Sequence, residues 1–290
     1  MTEEHFELHL TATQPILAPD LLSDNCGLSK QRLKLAMQKG AVWVTPNKQD
    51  GHTQRLRRAK KMLNAGDCLH LYYDRAVLDS VATPSELIDD LVDYSVWNKP
   101  CGTFSQGSKW GDHCTVARWA EKNLLPERPA FVVHRLDRAT SGLILLAHTK
   151  RTARSLSQLF ENRGIKKRYR ALVHGEFPCG TQTVNSNIDN RVACSHFDLL
   201  QSFPERELSL VEVQIETGRK HQIRRHLAEL GFPIVGDRLH GVENSIATSL
   251  DLQLCAFSLC FTCPITGEEK FFELAAGKQP WMDHLKLQQS

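Results

Sequence analysis

The stretch from Phe131 to Ala147 limits the possible folds of this chain more than any other. Phe131-Val132-Val133 reads as a short strand, and Leu143-Ile144-Leu145-Leu146-Ala147 as a strand buried on both faces. Between them runs a polar loop that places Asp137 between Arg135 and Arg138 and ends in Thr140-Ser141-Gly142. A polar loop slung between two buried strands holds a side chain rigidly, as a reactive group requires. Taken alone, such an aspartate is an ordinary ion pair with a neighbouring arginine.

Of the 290 residues, 41% are hydrophobic and 24% charged, a composition that fits a globular protein of one large or two unequal domains. No apolar run is long enough to span a membrane, and the acidic N-terminus lacks the basic-then-apolar order of a signal peptide, so a cytoplasmic location is expected. Nine scattered cysteines suit reduced thiols better than a disulfide framework. The one tight pair, Cys260 and Cys263, lies in an alternating run where positions three apart face opposite ways, and no second pair follows at zinc-finger spacing. No metal site is expected.

Along the chain, Ser29 is a natural N-cap for a helix over 30–39. Its buried face is Leu33, Ala36 and Met37, and Gly40 ends it. Strands are predicted over 41–44 and 68–73. This order resembles the S4-like RNA-binding module, and residues 1–75 are read as a small domain of that kind. From Lys30 to Lys61 there are ten basic residues against one acid, Asp50, a clustering that fits nucleic acid. Within it, Lys30 and Arg32 are candidate RNA contacts. Residues 76–93, with Pro84 and several acids, are read as a linker, and 94–290 as the second domain. There, strand-like residues 94–99 lead through Lys99-Pro100 to Gly102, a constrained turn with a cation at its tip. Helices are predicted over 115–123 and 150–162, strands over 208–215, 254–262 and 270–274, and a basic helix from Arg219 to Gly231.

Three basic stretches, 30–39, 163–170 and 219–226, could hold several phosphates if they converged, a sequence-independent source of RNA affinity. The chain has no Walker-type glycine loop, no dinucleotide fingerprint and no metal-ligand motif, so its chemistry is expected to need no cofactor.

Four strings now bear on function: Asn98-Lys-Pro-x-Gly102, His134-Arg-Leu-Asp-x-x-Thr-Ser-Gly-Leu143, Arg168-Tyr169-x-Ala171-x-Val173-x-Gly175, and Thr217-Gly-Arg-x-His-Gln-Ile-Arg224-x-His226 continuing to Gly236-Asp237. In this order, over about residues 94–275, they resemble the successive motifs of the RluA-type pseudouridine synthases. The resemblance implies an α+β catalytic domain on a mixed, largely antiparallel sheet, with a cleft across it. It implies Asp137 as the catalytic carboxylate that attacks or deprotonates the ribose of a target uridine, whose base is released, turned and rejoined through C5. Arg224 is then expected to be the ion-pair partner of Asp137, and Tyr169 to stack on the flipped uracil and accept the C5 proton. Arg135 is expected to enter the RNA where the base has left, with His134, Lys99, Arg219 and His221 as further substrate contacts.

Departures from the motifs are Cys255 and Cys263, where the family often has histidines, and Phe104-Ser-Gln-Gly-Ser-Lys-Trp-Gly111, which is expected to reshape the RNA-entry side. The reading is an RNA pseudouridine synthase, a monomer acting on structured RNA, ribosomal RNA first and transfer RNA as the alternative. The competing reading is a non-catalytic RNA-binding or ribosome-assembly protein, which would have no use for Asp137 and Arg224. A zinc-dependent nucleic-acid enzyme is a third, opposed by the cysteine spacing.

Overall fold

A computed structural model describes residues 4–241 and 250–281. It divides into two units: Met1–Thr83 with Gln106–Trp119, and Pro84–Ser105 with Ala120–Ser290. The first unit contains β1 (His5–Thr11), β2 (Ile16–Leu17), α1 (Ala18–Ser23), α2 (Lys30–Gln38), β3 (Val42–Thr45), β4 (Gln54–Arg55), β5 (Met62–Leu63), β6 (Cys68–Asp74) and α3 (Arg75–Asp79). Burial alternates along β6, and its inward residues Leu69 and Leu71 pack with Val42 and Val44 of β3 and with Leu33, Ala36 and Met37 of α2. The sheet is antiparallel in the order β1-β6-β3-β4. The Ser29 Oγ accepts from the Arg32 N–H at 3.3 Å, as expected of a helix N-cap.

Residues 106–119 belong to this unit, although the sequence reading placed them in the second domain. The reason is electrostatic. Arg55 and Arg57 both donate to Asp112 Oδ2, the former at 2.9 Å, and Trp43 Nε1 donates to the Lys109 carbonyl at 3.1 Å. The basic stretch takes its counter-charge from a distant segment, one that includes most of the unusual run after the first motif. The expected linker is likewise structured. Its first part is α3, capped by Asp74 accepting from Val77 N–H at 2.9 Å, and its second part is a strand of the other unit.

That unit comprises β7 (Glu86–Asp90), β8 (Tyr94–Lys99), the later residues of α4 (Val116–Asn123), β9 (Phe131–Val132), β10 (Ser141–Ala147), α5 (Lys150–Glu161), β11 (Lys166–His174), β12 (Gln182–Ile188), β13 (Arg191–Phe203), β14 (Leu208–Ile215), α6 (Gln222–Glu229), β15 (Leu254–Thr262) and β16 (Glu269–Glu273). One 10-stranded sheet runs β12-β13-β14-β11-β15-β10-β8-β7, with β16 on β15 and β9 on β10. Among the described pairs β10–β15 is parallel and the others are antiparallel, so the α+β architecture is as expected. Every residue of β10 is buried, which explains its uninterrupted apolar run. Gly142 is needed where β10 meets β15: its φ is +113°, and a Cβ there would lie 2.3 Å from the Ala256 carbonyl oxygen. The site loop is thus anchored at its end by backbone packed on backbone.

Candidate active site

Asp137 follows β9 and precedes β10, and the backbone on both sides of it is pinned. On one side, the Leu136 N–H donates to Ser105 Oγ at 3.0 Å while the same hydroxyl donates to the Leu136 carbonyl at 2.7 Å. On the other, the Arg138 carbonyl accepts from the Gly102 N–H at 2.9 Å and from Lys99 Nζ at 3.2 Å. The Arg138 side chain completes the clasp, with Nε donating to the Gly102 carbonyl at 3.1 Å and the guanidinium lying over the Phe104 ring. The first and second motifs therefore form one object, a turn that grips the aspartate loop.

Lys99 was expected to contact RNA, and its position corrects that. It is 0% exposed and spends its ammonium on three carbonyls, of Pro100 (3.1 Å), Thr103 (2.9 Å) and Arg138 (3.2 Å). Burial pulls its pKa down to about 8, while the nearby charge of Asp137 pulls the other way. His134 is corrected too. Its ring stacks on Phe160 at 4.1 Å and its Nε2 accepts from the Leu145 N–H at 3.0 Å, which makes it a support of the loop. Burial, with a smaller effect from Lys167, holds its pKa at about 3, so it is neutral.

Arg224 is not the partner of Asp137. Its Nε and Nη2 donate to Asp237 at 2.8 and 2.6 Å, a bidentate pair with both residues buried. Asp237 also accepts from the N–H groups of Leu239 (2.9 Å) and His240 (3.0 Å). Burial alone would raise its pKa, but Arg224 and those two amides outweigh burial and lower it. The basic group facing Asp137 is His221, whose Nε2 lies 4.0 Å from Oδ2. His221 sits at φ 55° just before α6, and its Nδ1 lies 3.1 Å from His240 Nε2. Burial lowers the His221 pKa against the opposing field of Asp137. Asp237 and His240 carried no assigned role in the sequence reading. Asp237 is the lone acid between Gly231 and Gly241, which was the available signal.

Tyr169 is buried on β11, beside a register shift against β15 at Arg168/Tyr169. Its hydroxyl makes no hydrogen bond among the described residues. Burial, then the charge of Asp137, raises its pKa, which places the phenol within the field of that carboxylate. Asp137 itself is accessible, with 34% of its side-chain surface exposed. Arg135 is exposed and has no ion-pair partner among the described residues. An accessible carboxylate therefore acts on a buried phenol, and an exposed arginine lies two residues before that carboxylate in the chain.

The basic stretches are partly neutralised. Arg168 and Arg170 share Glu212, at 3.3 and 3.7 Å. Arg219 donates through Nε to the Val192 carbonyl at 3.2 Å and so is partly structural. In the first unit, Lys30 pairs with Asp20 at 2.8 Å, whereas Arg32 is exposed with its guanidinium unpaired among the described residues. In the last motif Gln222 is fully used: Oε1 accepts from Thr217 Oγ1 (2.6 Å) and Arg219 N–H (3.0 Å), and Nε2 donates to the Cys194 carbonyl and Ser195 Oγ, both at 2.9 Å. His226 Nδ1 contacts the same Ser195 hydroxyl at 3.0 Å. These residues bind α6 to β13. Cys255 and Cys263 are buried, and burial pushes the Cys255 thiol up to about 12.

Residues 93–229 match the family model described as RNA pseudouridylate synthase. The tRNA pseudouridine synthase C of Salmonella typhimurium is 32% identical over 185 residues, 53% of this chain and 71% of that protein. The chain belongs to the RNA pseudouridylate synthase family. Within that family, an uncharacterized RNA pseudouridine synthase of Chloroflexus aurantiacus is 39% identical over 167 residues. The match spans about half of each chain, 51% of this one and 52% of the relative. The solved structure of human RNA Pseudouridylate Synthase Domain Containing 1 shares the fold, with a TM-score of 0.59 at 22% identity over 72% of this chain and 89% of that one. No helix among the described residues is long and apolar enough to cross a membrane.

Proposed function

We propose that this chain isomerises uridine to pseudouridine in structured RNA, with Asp137 as the catalytic carboxylate. The observation that carries the reading is the clasp around Asp137, which holds the backbone on either side while leaving the carboxylate accessible. A target base inside folded RNA must leave its stack to reach such a group. Arg135, exposed and without an ion-pair partner among the described residues, would fill the gap it leaves, and Tyr169 would supply a ring for stacking. The phenol, neutral in its buried place, is the candidate to relay the C5 proton, its oxygen taking that proton as its own O–H proton passes to a water or base in the occupied site. His221 faces the carboxylate of Asp137 across 4.0 Å. Lys99, His134 and Arg224 act at one remove, by fixing the loops.

For the RNA, the sequence reading favours ribosomal RNA, with the S4-like first unit contributing Arg32 and Lys30 to phosphate binding. The 32% identity to a tRNA pseudouridine synthase C supports transfer RNA as a second reading. A monomer in the cytoplasm suits both. The test is pseudouridine mapping of rRNA and tRNA transcripts incubated with the protein, and of cells with and without it. Wild-type protein is expected to form pseudouridine, and Asp137→Asn to lose roughly a thousandfold or more in rate while binding RNA within a few-fold. Turnover by Asp137→Asn near the wild-type rate would remove Asp137 from the chemistry.

A further inference from the structure

A second cluster of reactive side chains lies on the sheet, outside the Asp137 site. Cys194 and His196 are two residues apart on β13 and so share a face. The β13–β14 register pairs Ser195 with Ile215, and the next residue, Glu216, donates its N–H to the Cys194 carbonyl at 3.1 Å. That register puts Glu216 beside Cys194 on the same face. The three ligand atoms lie within 4.8 Å of one another. His196 Nε2 is 3.6 Å from Cys194 Sγ and 3.1 Å from Glu216 Oε1.

Those spacings have a chemical reading. With metal–ligand lengths of about 2.3 Å for sulfur and about 2.1 Å for nitrogen and oxygen, a tetrahedral zinc ion separates its S and N ligands by about 3.6 Å and its N and O ligands by about 3.4 Å. The observed edges are close to these. His196 Nε2 is thus the atom that the Cys194 sulfur and the Glu216 carboxylate share. The other nitrogen, Nδ1, lies 3.0 Å from Thr183 Oγ1, the kind of outer contact that fixes a ligating imidazole. Thr183 is opposite His196 in the β12–β13 register, so the support is built into the sheet.

We propose that Cys194, His196 and Glu216 bind one zinc-class divalent cation, with water in the fourth position. Binding turns the Cys194 thiol into a thiolate, its proton passing to solvent, and Nε2 and the carboxylate complete the set. The cation ties β13 to the end of β14 at the start of the Thr217-Gly218-Arg219 segment. Cys194 already holds that segment, its N–H donating to Thr217 Oγ1 at 3.4 Å and its carbonyl accepting from Gln222. The site is structural and takes no part in the isomerisation.

Calorimetric titration of the demetallated full chain with zinc chloride tests this, together with cobalt(II) absorption. One equivalent is expected to bind, with a thiolate-to-cobalt band. Cys194→Ser and His196→Gln should each weaken binding at least tenfold and Cys194→Ser should abolish the band, while Cys260→Ser changes neither. Circular dichroism of each variant before titration separates loss of ligand from loss of fold, and Glu216→Gln, at an exposed position, gives a third and independent reading. Absence of stoichiometric binding, or binding unchanged in the Cys194→Ser/His196→Gln double variant, overturns the assignment.

Discussion

The Arg224 guanidinium grips Asp237 through two nitrogens, and both residues are almost wholly withdrawn from water, at 4% and 2% exposure. Breaking a buried pair by removing one partner leaves an uncompensated charge, at a cost of roughly 3–5 kcal/mol. Arg224→Met and Asp237→Leu are each expected to destabilise the protein by that order. The double variant should recover part of the loss. Urea unfolding of all three gives the coupling, and purely additive single effects would contradict the pairing. Because the pair excludes Asp137, Asp137→Asn should unfold like the wild type.

Tyr169 separates stability from chemistry. Its hydroxyl makes no hydrogen bond among the described residues, so Tyr169→Phe should melt within about a degree of wild type. If the oxygen handles the final proton, product formation in the variant falls by roughly a hundredfold. Pseudouridine formation at saturating RNA measures this, and an unchanged rate leaves the ring with a stacking role alone.

Arg135 is exposed, and its removal should change stability by no more than about 0.5 kcal/mol. Its loss should show instead in RNA binding. Arg135→Ala is expected to reduce the slope of log affinity against log salt by about 1 if the guanidinium meets a phosphate. A weakened affinity with an unchanged slope would place it among the bases.

His134 makes stability depend on acid. Its pKa is about 3 in the folded protein, below the ordinary value of about 6.5. The unfolded chain therefore binds the proton first, and the stabilising contribution, complete above about pH 6.5, is lost as the pH falls toward 3. His134→Gln keeps an acceptor for the Leu145 N–H and cannot be protonated there. Unfolding free energy measured from pH 7 to pH 4 should fall less steeply for this variant than for wild type. Equal slopes would show that other groups govern acid sensitivity.

Local patterns were read well from sequence because local physics makes them. Ser29 caps α2 as its position implied, residues 208–215 form β14, and the apolar run before His148 is the buried β10. The mixed, mainly antiparallel sheet also agrees with the motif order. What was not legible is pairing at long range. Nothing near Arg224 in sequence distinguishes Asp137 from Asp237 as its partner, since both are lone acids close to a glycine. Lys99 read as a turn cation because hydropathy cannot show three carbonyls closing on one ammonium. The Cys194–His196–Glu216 cluster escaped because strand register, not linear spacing, brings its third member in.

The return of residues 106–119 to the first unit has a consequence for how the chain matures. As synthesis proceeds from the N-terminus, Arg55 and Arg57 leave the ribosome well before Asp112, their counter-charge. The first unit therefore cannot close until β8, the opening motif strand of the second unit, has already emerged. A fragment ending at Thr83 would carry two half-buried guanidinium groups with no carboxylate to meet them. Neither unit, then, can be inherited, exchanged or cut away as one uninterrupted length of chain.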